Sequence, residues 1–324
     1  LCQQGTGATA SRLIGGTTTE HVALEREIAY FARTERALSF SSGYATNVGV
    51  IPALVARGDI IFADRLNHAS LIDGCRSSRA TIHVYEHGDA DALAGALAEY
   101  RPAHRRALIV TDGIFSMDGD VAPLPAIVAL ARRFDAWTYV DDAHAVGVIG
   151  PDGRGTAALL GVGGEIDVSI GTLGKAFGAA GAYVAGSAVL CAYLLNRARS
   201  FIFSTAPMPA QVAAAAEGIR IAAAEPDRRE RTASNARLLR ESLRARGVTV
   251  AGAESMYIVP VVIGEAARTA QVGERLARAG FFVGAVRPPT VPEGTSRLRI
   301  SLSAAHTGEQ IRALAAAVAA AFAR

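Results

Sequence analysis

The stretch Ser169-Ile170-Gly171-Thr172-Leu173-Gly174-Lys175-Ala176-Phe177-Gly178 contains the single lysine of a chain with 33 lysine and arginine residues. An ammonium group on a flexible stem can lose its proton and attack a carbonyl carbon, whereas a guanidinium stays protonated and cannot form an imine. Lys175 lies between glycines, just after an apolar segment typical of a β-strand. This position disfavours the alternative that compositional bias left one lysine by chance. The stretch therefore predicts a strand that ends beside a reactive amine.

Around this stretch, short apolar strands alternate with helical segments along the chain. Strands that are apolar throughout and separated by helices predict an α/β fold, with a mostly parallel sheet covered by helices on both faces. In such sheets, ligands bind beyond the carboxyl ends of the strands. The expected strands are Ala37–Phe40, Ile60–Ala63, Thr81–Tyr85, Ala107–Thr111, Trp137–Val140, Val168–Gly171 and Ala182–Ala185.

After Pro207, two long helices at about 210–224 and 228–246 lead into a different pattern. A smaller α+β domain is predicted there, with strands near 257–263, 281–286 and 297–303 and helices near 266–279 and after His306. The expected domains are a loop and helix at 1–35, a large cofactor-binding domain at 36–210, and linking helices with the small domain at 211–324. Because the chain begins with Leu1 in a Gly/Thr-rich segment, we expect that an upstream segment is missing.

The amino-acid composition excludes several classes of function. Half of the 324 residues are hydrophobic and 19% are charged, and the net charge is +3 with both signs interspersed. This distribution creates no concentrated basic face, so neither nucleic acid nor an anionic membrane is expected as a partner. No apolar run reaches the about 18 residues that a membrane span needs. Cys2, Cys75 and Cys191 are far apart, which favours a reducing cytoplasm over a disulfide framework or a zinc site.

Four segments are expected at the carboxyl ends of strands: Gly43-Tyr44, Ser116, Asp141–His144 and Thr172–Lys175. An amine, a carboxylate, an imidazole and a helix N-terminus together suit pyridoxal phosphate (PLP). Its aldehyde needs an amine, its pyridine nitrogen needs a carboxylate that keeps it protonated, and its phosphate needs backbone N–H groups at the start of a helix. At about 4 Å and an effective dielectric of about 20, the carboxylate and pyridinium attract by roughly 4 kcal/mol.

Other interpretations of the same residues remain open at this point. Asp141, Asp142 and His144 could be metal ligands, but no third ligand segment with suitable spacing is nearby, and no metal site is predicted. The GTLGKA segment matches a P-loop poorly, since two residues rather than four separate its glycines and alanine follows the lysine. His68 could simply cap a helix. The alternative class of protein is a nucleotide- or metal-binding module on the same sheet.

The motifs together closely resemble the α-oxoamine synthase family of PLP enzymes. This resemblance implies the PLP-dependent transferase fold of type I, which is aspartate-aminotransferase-like, and it extends from about Gly5 to the last helix. The segments that carry it are SRLIGGTTTEHVALE, SSGYATN, ADRLNHASLIDG, TDGIFSMDGDVAPL, VDDAHAVGVIGPDGRG, GTLGKAFG, FIFSTAPMPA and RPPTVPEGTSRLRISLSAAHT.

Within the family, RPPTVPEGTSRLR and FIFST most resemble the branch that condenses L-alanine with a pimeloyl thioester in biotin biosynthesis. GTLGKAFG and VDDAHAVG would also suit a glycine-using CoA ligase. The resemblance thus implies an acyltransferase of aminotransferase class II that releases carbon dioxide and a thiol. Family members carry a helix and a strand before the loop at Gly5, where part of the acyl-binding surface lies, so the acyl contacts of that segment are not assigned.

The resemblance also implies catalytic roles at matching positions. Lys175 would form the Schiff base and move the proton at the substrate α-carbon. His68 would stack on the pyridine ring, and Asp141 would pair with the ring nitrogen. His144 and Ser116 would contact the phenolic oxygen of the ring or its surroundings.

Phosphate and substrate contacts are implied in the same way. Gly43, Tyr44 and Thr172 would help to hold the phosphate. Ser204 and Thr205 match a pair that reaches the phosphate from a partner subunit, which implies a homodimer with the active site at the subunit interface. Arg299 matches the clamp on the amino-acid carboxylate, a bidentate task suited to a guanidinium; without the surrounding motif it would be assigned as a solvated strand residue. Thr290 falls where a substrate contact is expected.

Overall fold

The computed structural model describes residues 5–254 and 256–322. Cys2 and Ala323, the last residue of the predicted terminal helix, lie outside the described residues, as does the start of the expected segment 1–35. The chain divides into two compact units, one formed by residues 1–114 and 122–225 and the other by residues 115–121 and 226–324. None of the helices in the described ranges is both long enough and apolar enough to cross a membrane.

The first unit contains a seven-stranded sheet in the order β1-β7-β6-β5-β4-β2-β3. Its strands are β1 (Arg36–Phe40), β2 (Ile60–Asp64), β3 (Thr81–Tyr85), β4 (Ala107–Asp112), β5 (Trp137–Asp141), β6 (Val168–Thr172) and β7 (Ala182–Gly186). Its helices are α1 (Thr19–Ala32), α2 (Gly43–Leu54), α3 (Ala69–Ser77), α4 (Ala90–Tyr100), α5 (Leu124–Arg133), α6 (Thr156–Leu159), α7 (Ala188–Arg197), α8 (Arg199–Ile202) and α9 (Pro209–Ala224). All seven expected strands are present.

The sheet is mostly parallel, as predicted, and β7 is the strand that runs against the others. It pairs antiparallel with both β6 and β1. The connection from β6 to β7 covers only residues 173–181, whereas a crossover to a parallel strand needs about a dozen residues or more. The chain therefore turns back on itself directly after the stretch that carries Lys175.

Both faces of the sheet are covered except at the edge strand β3, where Ile82 and Val84 are exposed, and this explains why the inner strands are largely apolar. One hydrophobic cluster packs α2, α3, α7 and α8 against side chains such as Leu38 and Val184. A second cluster packs α1 and α9 against side chains such as Ala37 and Tyr183 from the same two strands. Neighbouring residues of a strand point to opposite faces, so β1 and β7 each contribute to both clusters.

The second unit contains an antiparallel sheet in the order β8-β10-β9. Its strands are β8 (Ile258–Gly264), β9 (Gly284–Val286) and β10 (Ser296–Ser301), and its helices are α10 (Pro226–Arg244), α11 (Ala266–Arg278) and α12 (Gly308–Phe322). The core includes Leu239, Val259, Val272, Leu298 and Val318, which are almost fully buried. This unit has the predicted α+β character.

The chain passes between the two compact units at 114/115, 121/122 and 225/226, and the expected domains at 1–35, 36–210 and 211–324 stay predictions. Helices α1 and α9 both belong to the first unit, because Leu24 and Ile28 of α1 pack with Val212 and Ile219 of α9. The chain passes to the second unit between Glu225 and Pro226. Residues 115–121, predicted to lie within the large domain, group with the second unit.

Candidate active site

Lys175 and His144 meet at the carboxyl end of the large sheet. Each lies three residues beyond the end of its strand, β6 for Lys175 and β5 for His144, and these two strands are parallel neighbours. The Lys175 Nζ atom is 2.8 Å from His144 Nε2. Lys175 is exposed and His144 is half-buried. The structure thus places an accessible amine in hydrogen-bonding contact with an imidazole, where the sequence predicted a reactive lysine.

Asp141 is a buried carboxylate whose two oxygens are held by different elements. Asn47 of α2 donates its Nδ2–H to Asp141 Oδ2 at 2.7 Å, and the amide N–H of Ala143 donates to Oδ1 at 3.0 Å. The hydroxyl of Tyr139 donates to Asn47 Oδ1 at 2.6 Å. Charge-assisted bonds of this kind fix both the position and the orientation of a carboxylate. Asp141 is therefore held rigidly at the end of β5.

His68 is connected to Asp141 through two side chains. Its Nδ1 lies 2.7 Å from Ser70 Oγ, and Asn47 Nδ2 donates to the same oxygen at 2.9 Å. His68 also caps α3, since Nδ1 accepts the amide N–H of Ser70 at 3.2 Å. The ring is exposed at the surface of the first unit. The simple capping role considered for His68 is thus present, within a network that includes Asp141.

Asp112 is a second buried carboxyl at this edge, and it lies opposite Asp141 in the β4–β5 register. Its Oδ2 accepts the amide N–H of His68 at 2.7 Å. Burial, followed by the charge of Asp141, raises the pKa of Asp112 well above its ordinary value. Two adjacent buried carboxyls resist carrying two negative charges, so this arrangement favours a proton on Asp112.

Gly43 and Tyr44 begin α2 directly beyond β1, as predicted. Ser42 caps the helix by accepting the amide N–H of Ala45, and the first-turn N–H groups of Gly43 and Tyr44 have no intrahelical acceptor. Apart from its chain neighbours and the backbone of its own helix, no atom of the described chain lies within 4 Å of the position that a Cβ on Gly43 would occupy. The Tyr44 hydroxyl donates to Asp73 at 2.7 Å. The start of α2 therefore presents open space beside polarised N–H groups, which suits an anion.

Thr172, Ser204 and Thr205 are the remaining candidates in the first unit. The buried Thr172 hydroxyl donates to Gly181 O at 3.2 Å and accepts the amide N–H of Gly174 at 3.3 Å, so it stabilises the turn after β6. Ser204 is half-buried and Thr205 is exposed, and Thr205 forms an isolated bridge with Ser11. Within the described chain, Thr172 thus contacts its own turn and Thr205 lies beside Ser11.

In the second unit, Ser116 and Arg299 are brought together. Arg299 donates its Nε–H to the backbone carbonyl of Ser116 and an Nη1–H to Ser301 Oγ, the latter at 2.8 Å. Burial lowers the pKa of the Arg299 guanidinium, and Tyr257 partly opposes this effect. Thr290 is exposed and lines a separate cavity with Arg287 and Glu293.

Four residues that the sequence interpretation missed are Asn47, Ser70, Asp112 and Ser301. Asn47 ends the SSGYATN segment, Ser70 lies in ADRLNHASLIDG, and both residues are buried. Asp112 ends β4 in the same way that Asp141 ends β5, so the rule for carboxyl ends of parallel strands could have identified it. No local pattern distinguishes Ser301 from other strand serines.

The donor set fits PLP better than a metal. An accessible amine, a fixed carboxylate, an imidazole and an open helix N-terminus lie beyond the carboxyl ends of β1, β5 and β6. Across residues 5–254 and 256–322, no group of three or more His, Cys, Asp or Glu side chains is arranged to hold a metal ion.

Comparisons with known proteins agree with this chemistry. A family model described as aminotransferase class I and II matches residues 3–318. A curated 8-amino-7-oxononanoate synthase from Geobacter sulfurreducens is 52% identical over 317 residues, covering 97% of this chain and 81% of the relative. A relative of the same name from Lysinibacillus sphaericus is 50% identical over 313 residues, covering 96% and 79%.

Solved structures give the same result at the level of the fold. A serine palmitoyltransferase from S. paucimobilis, solved with a bound PLP–myriocin aldimine, has a TM-score of 0.96 and 34% identity over 99% of this chain and 81% of its own. An 8-amino-7-oxononanoate synthase from Francisella tularensis has a TM-score of 0.82 and 28% identity, covering 96% of this chain and 88% of its own. The expected fold type I architecture is confirmed.

Proposed function

The chain belongs to the aminotransferase class I and II family, and on that premise we propose that it is a PLP-dependent acyltransferase of biotin biosynthesis. It condenses L-alanine with a pimeloyl thioester to give 8-amino-7-oxononanoate, carbon dioxide and free thiol. The observation that carries this proposal is the name shared by relatives that are about half identical over nearly the whole chain. Neither the glycine-using alternative, such as 2-amino-3-ketobutyrate CoA ligase, nor a nucleotide- or metal-binding module is favoured by these relatives.

When bound, PLP supplies a conjugated, electron-withdrawing ring that stabilises negative charge at the α-carbon of an amino acid. Lys175, the single lysine of the chain, is proposed to hold the aldehyde and to move the α-proton. His144, 2.8 Å from Nζ, accepts or returns a proton at that amine. Asp141 binds the ring nitrogen with the remaining lone pairs of its fixed carboxylate, and His68 covers the ring.

The phosphate and the substrate carboxylate are proposed to bind at different places. Gly43 and Tyr44 offer N–H groups at the start of α2, with Thr172 holding the neighbouring turn. Arg299 is a partly buried guanidinium whose contacts within the described chain are a carbonyl and a hydroxyl. A desolvated cation of this kind favours an anionic partner, which supports its role as the carboxylate clamp. Ser116 is proposed to lie near the ring and Thr290 near the substrate.

We further propose a homodimer in which Ser204 and Thr205 complete the partner's phosphate site. Their segment is at the surface, where the neighbouring Phe203 is 69% exposed. Mixing a Lys175→Ala enzyme with a Thr205→Val enzyme tests this, because a mixed dimer would contain one site with both residues intact. Recovery of activity above either parent supports shared sites, whereas no recovery after verified subunit exchange rejects them.

The reaction itself is tested by product identification. Purified, PLP-loaded enzyme is incubated with pimeloyl-CoA or a pimeloyl carrier protein and either L-alanine or glycine, and thiol release and product mass are measured. Alanine-dependent formation of 8-amino-7-oxononanoate is expected. Turnover with glycine alone would reject the alanine assignment. A cytoplasmic location is proposed with this function, since Cys75 and Cys191 are free and buried in the described chain.

A further inference from the structure

We propose that Arg297 and Asp118 form a positioning pair that orients Arg299 toward the carboxylate of the amino-acid substrate. This inference rests on the proposed function, since it assigns residues that act through the proposed clamp. Every contact that carries it lies within the second compact unit.

The orientation of Arg299 is set by two neutral acceptors. The Ser116 carbonyl accepts from Nε, and the Ser301 hydroxyl accepts from Nη1 at 2.8 Å. The guanidinium is planar and its donors are fixed relative to one another. Holding Nε and Nη1 therefore fixes the plane of the guanidinium and leaves its Nη2 donors outside these two hydrogen bonds. The position of the Ser116 carbonyl thus decides where the remaining donors point.

Ser116 belongs to the short segment 115–121, which Arg297 joins to the rest of the second unit. Arg297 donates an Nη1–H to the Asp118 carboxylate and to the Met117 carbonyl, the latter at 3.3 Å. Its Nε–H donates to Thr295 O at 3.0 Å, which fixes the stem of the side chain. Arg297 and Arg299 are two residues apart on β10 and project from one face of the strand. One strand therefore contacts three consecutive residues of the segment.

A second anchor limits how the segment can rearrange. Gly119 has a positive φ of 65°, and its carbonyl accepts the amide N–H of Ala253 at 3.0 Å. A Cβ on Gly119 would approach Ile258 O to 2.7 Å. The far end of the segment is thus fixed by the backbone. At the other end, Phe115 O accepts the amide N–H of Gly119 at 2.9 Å, and the two arginines of β10 contact the three residues that follow Phe115.

The burial of the Arg297–Asp118 pair indicates that it fixes geometry more than it stabilises the fold. The side chain of Arg297 is only 7% exposed and that of Asp118 is 33% exposed. Removing a guanidinium from water costs free energy that an ion pair regains only in part, and apolar residues of similar volume often stabilise a fold equally well. An ion pair with a buried guanidinium, which joins β10 to the Ser116 segment, fits a role in fixing geometry.

The test compares the affinity of PLP-loaded enzyme for L-alanine and for L-alaninol, which lacks the carboxylate, by calorimetric titration. In Arg297→Gln we expect binding of L-alanine to weaken about 10-fold and binding of L-alaninol to change less than about twofold. Arg297→Lys keeps the charge opposite Asp118 and is expected to lose less. Arg278→Gln is the matched control, because it removes an exposed arginine that pairs with Glu274 on α11.

Asp118→Asn provides a second variant that removes the charge while keeping the shape, and it is expected to shift the alanine-to-alaninol ratio in the same direction. Equal weakening of both ligands, or an unchanged ratio in both variants, would overturn the inference while leaving the proposed function intact. A wild-type enzyme without preference for L-alanine over L-alaninol would instead reject the proposed function, and the inference with it.

Discussion

The stability of the first compact unit is predicted to depend on the protonation of Asp142. This carboxyl is 6% exposed, and it accepts the backbone N–H and the hydroxyl of Thr156 at 2.8 and 2.5 Å. Gly113 and Gly155 lie so close that a Cβ on either would come within 1.9 and 2.2 Å of its oxygens. The carboxyl is therefore enclosed, and burial raises the pKa of Asp142 from 3.8 to about 6 despite the hydrogen bonds.

The direction in which pH changes the free energy of unfolding follows from proton binding to Asp142. Because the pKa of Asp142 is higher in the folded state than in the unfolded state, the folded state holds more protons between pH 3.8 and about 6. The contribution to stability is thus complete below this window and lost as the pH rises through it. At about 1.36 kcal/mol for each pKa unit, the whole effect is about 3 kcal/mol. About 1.4 kcal/mol of it lies between about pH 5 and about pH 7.5.

The assay is urea unfolding followed by the fluorescence of Trp137, the single tryptophan of the chain, which begins the strand that leads to Asp142. Wild type is compared with Asp142→Asn at both pH values. Asparagine keeps an oxygen for the Thr156 N–H, and the Thr156 hydroxyl can rotate to accept from the amide. The quantity used is the pH dependence of the difference in free energy of unfolding between the two proteins, so any cost of the substitution that does not depend on pH cancels.

We expect the free energy of unfolding of Asp142→Asn to rise by about 1.4 kcal/mol relative to that of wild type when the pH is raised from about 5 to about 7.5. Other carboxyls titrate in both proteins and do not contribute to this difference. If the difference in free energy of unfolding between the two proteins does not depend on pH, or changes with the opposite sign, then Asp142 is ionised at no cost in the folded state. The reasoning from its enclosure would then be wrong.

Substitutions in the proposed site are expected to separate stability from ligand chemistry. Asn47→Leu should lower the free energy of unfolding by about 3 kcal/mol, because the Asp141 carboxylate and the Tyr139 hydroxyl both lose a buried partner. Tyr139→Phe should lower it by only about 1 kcal/mol. Equal losses for the two variants in urea unfolding would contradict this prediction. Lys175→Arg should abolish borohydride-dependent mass labelling at residue 175 while changing stability by less than about 0.5 kcal/mol, and a persisting label would refute the imine role. Arg299→Gln should raise the KM for L-alanine about 10- to 100-fold in steady-state assays, and an unchanged KM would remove Arg299 from the site.

Much of the large sheet was predictable because its signals are local. Each strand is a short apolar run between helical segments, and a strand buried on both faces has to be apolar throughout. The antiparallel direction of β7 was also accessible in principle, since residues 173–181 are too few for a crossover. The grouping of residues 115–121 with the second unit was not accessible, because it depends on contacts with β10 and Ala253 rather than on the composition of the segment.

The sequence by itself determined which groups could carry the chemistry. A single lysine, a carboxylate at a strand end and an imidazole three residues later are properties of residue type and position, and the rule for carboxyl ends places them at one edge. Only the tertiary structure decided how these groups are held. Asn47 reaches Asp141 across 94 residues of chain and Ser116 reaches Arg299 across 183 residues. Hydrogen bonds between distant segments depend on the packing of whole elements, and local periodicity does not encode that packing.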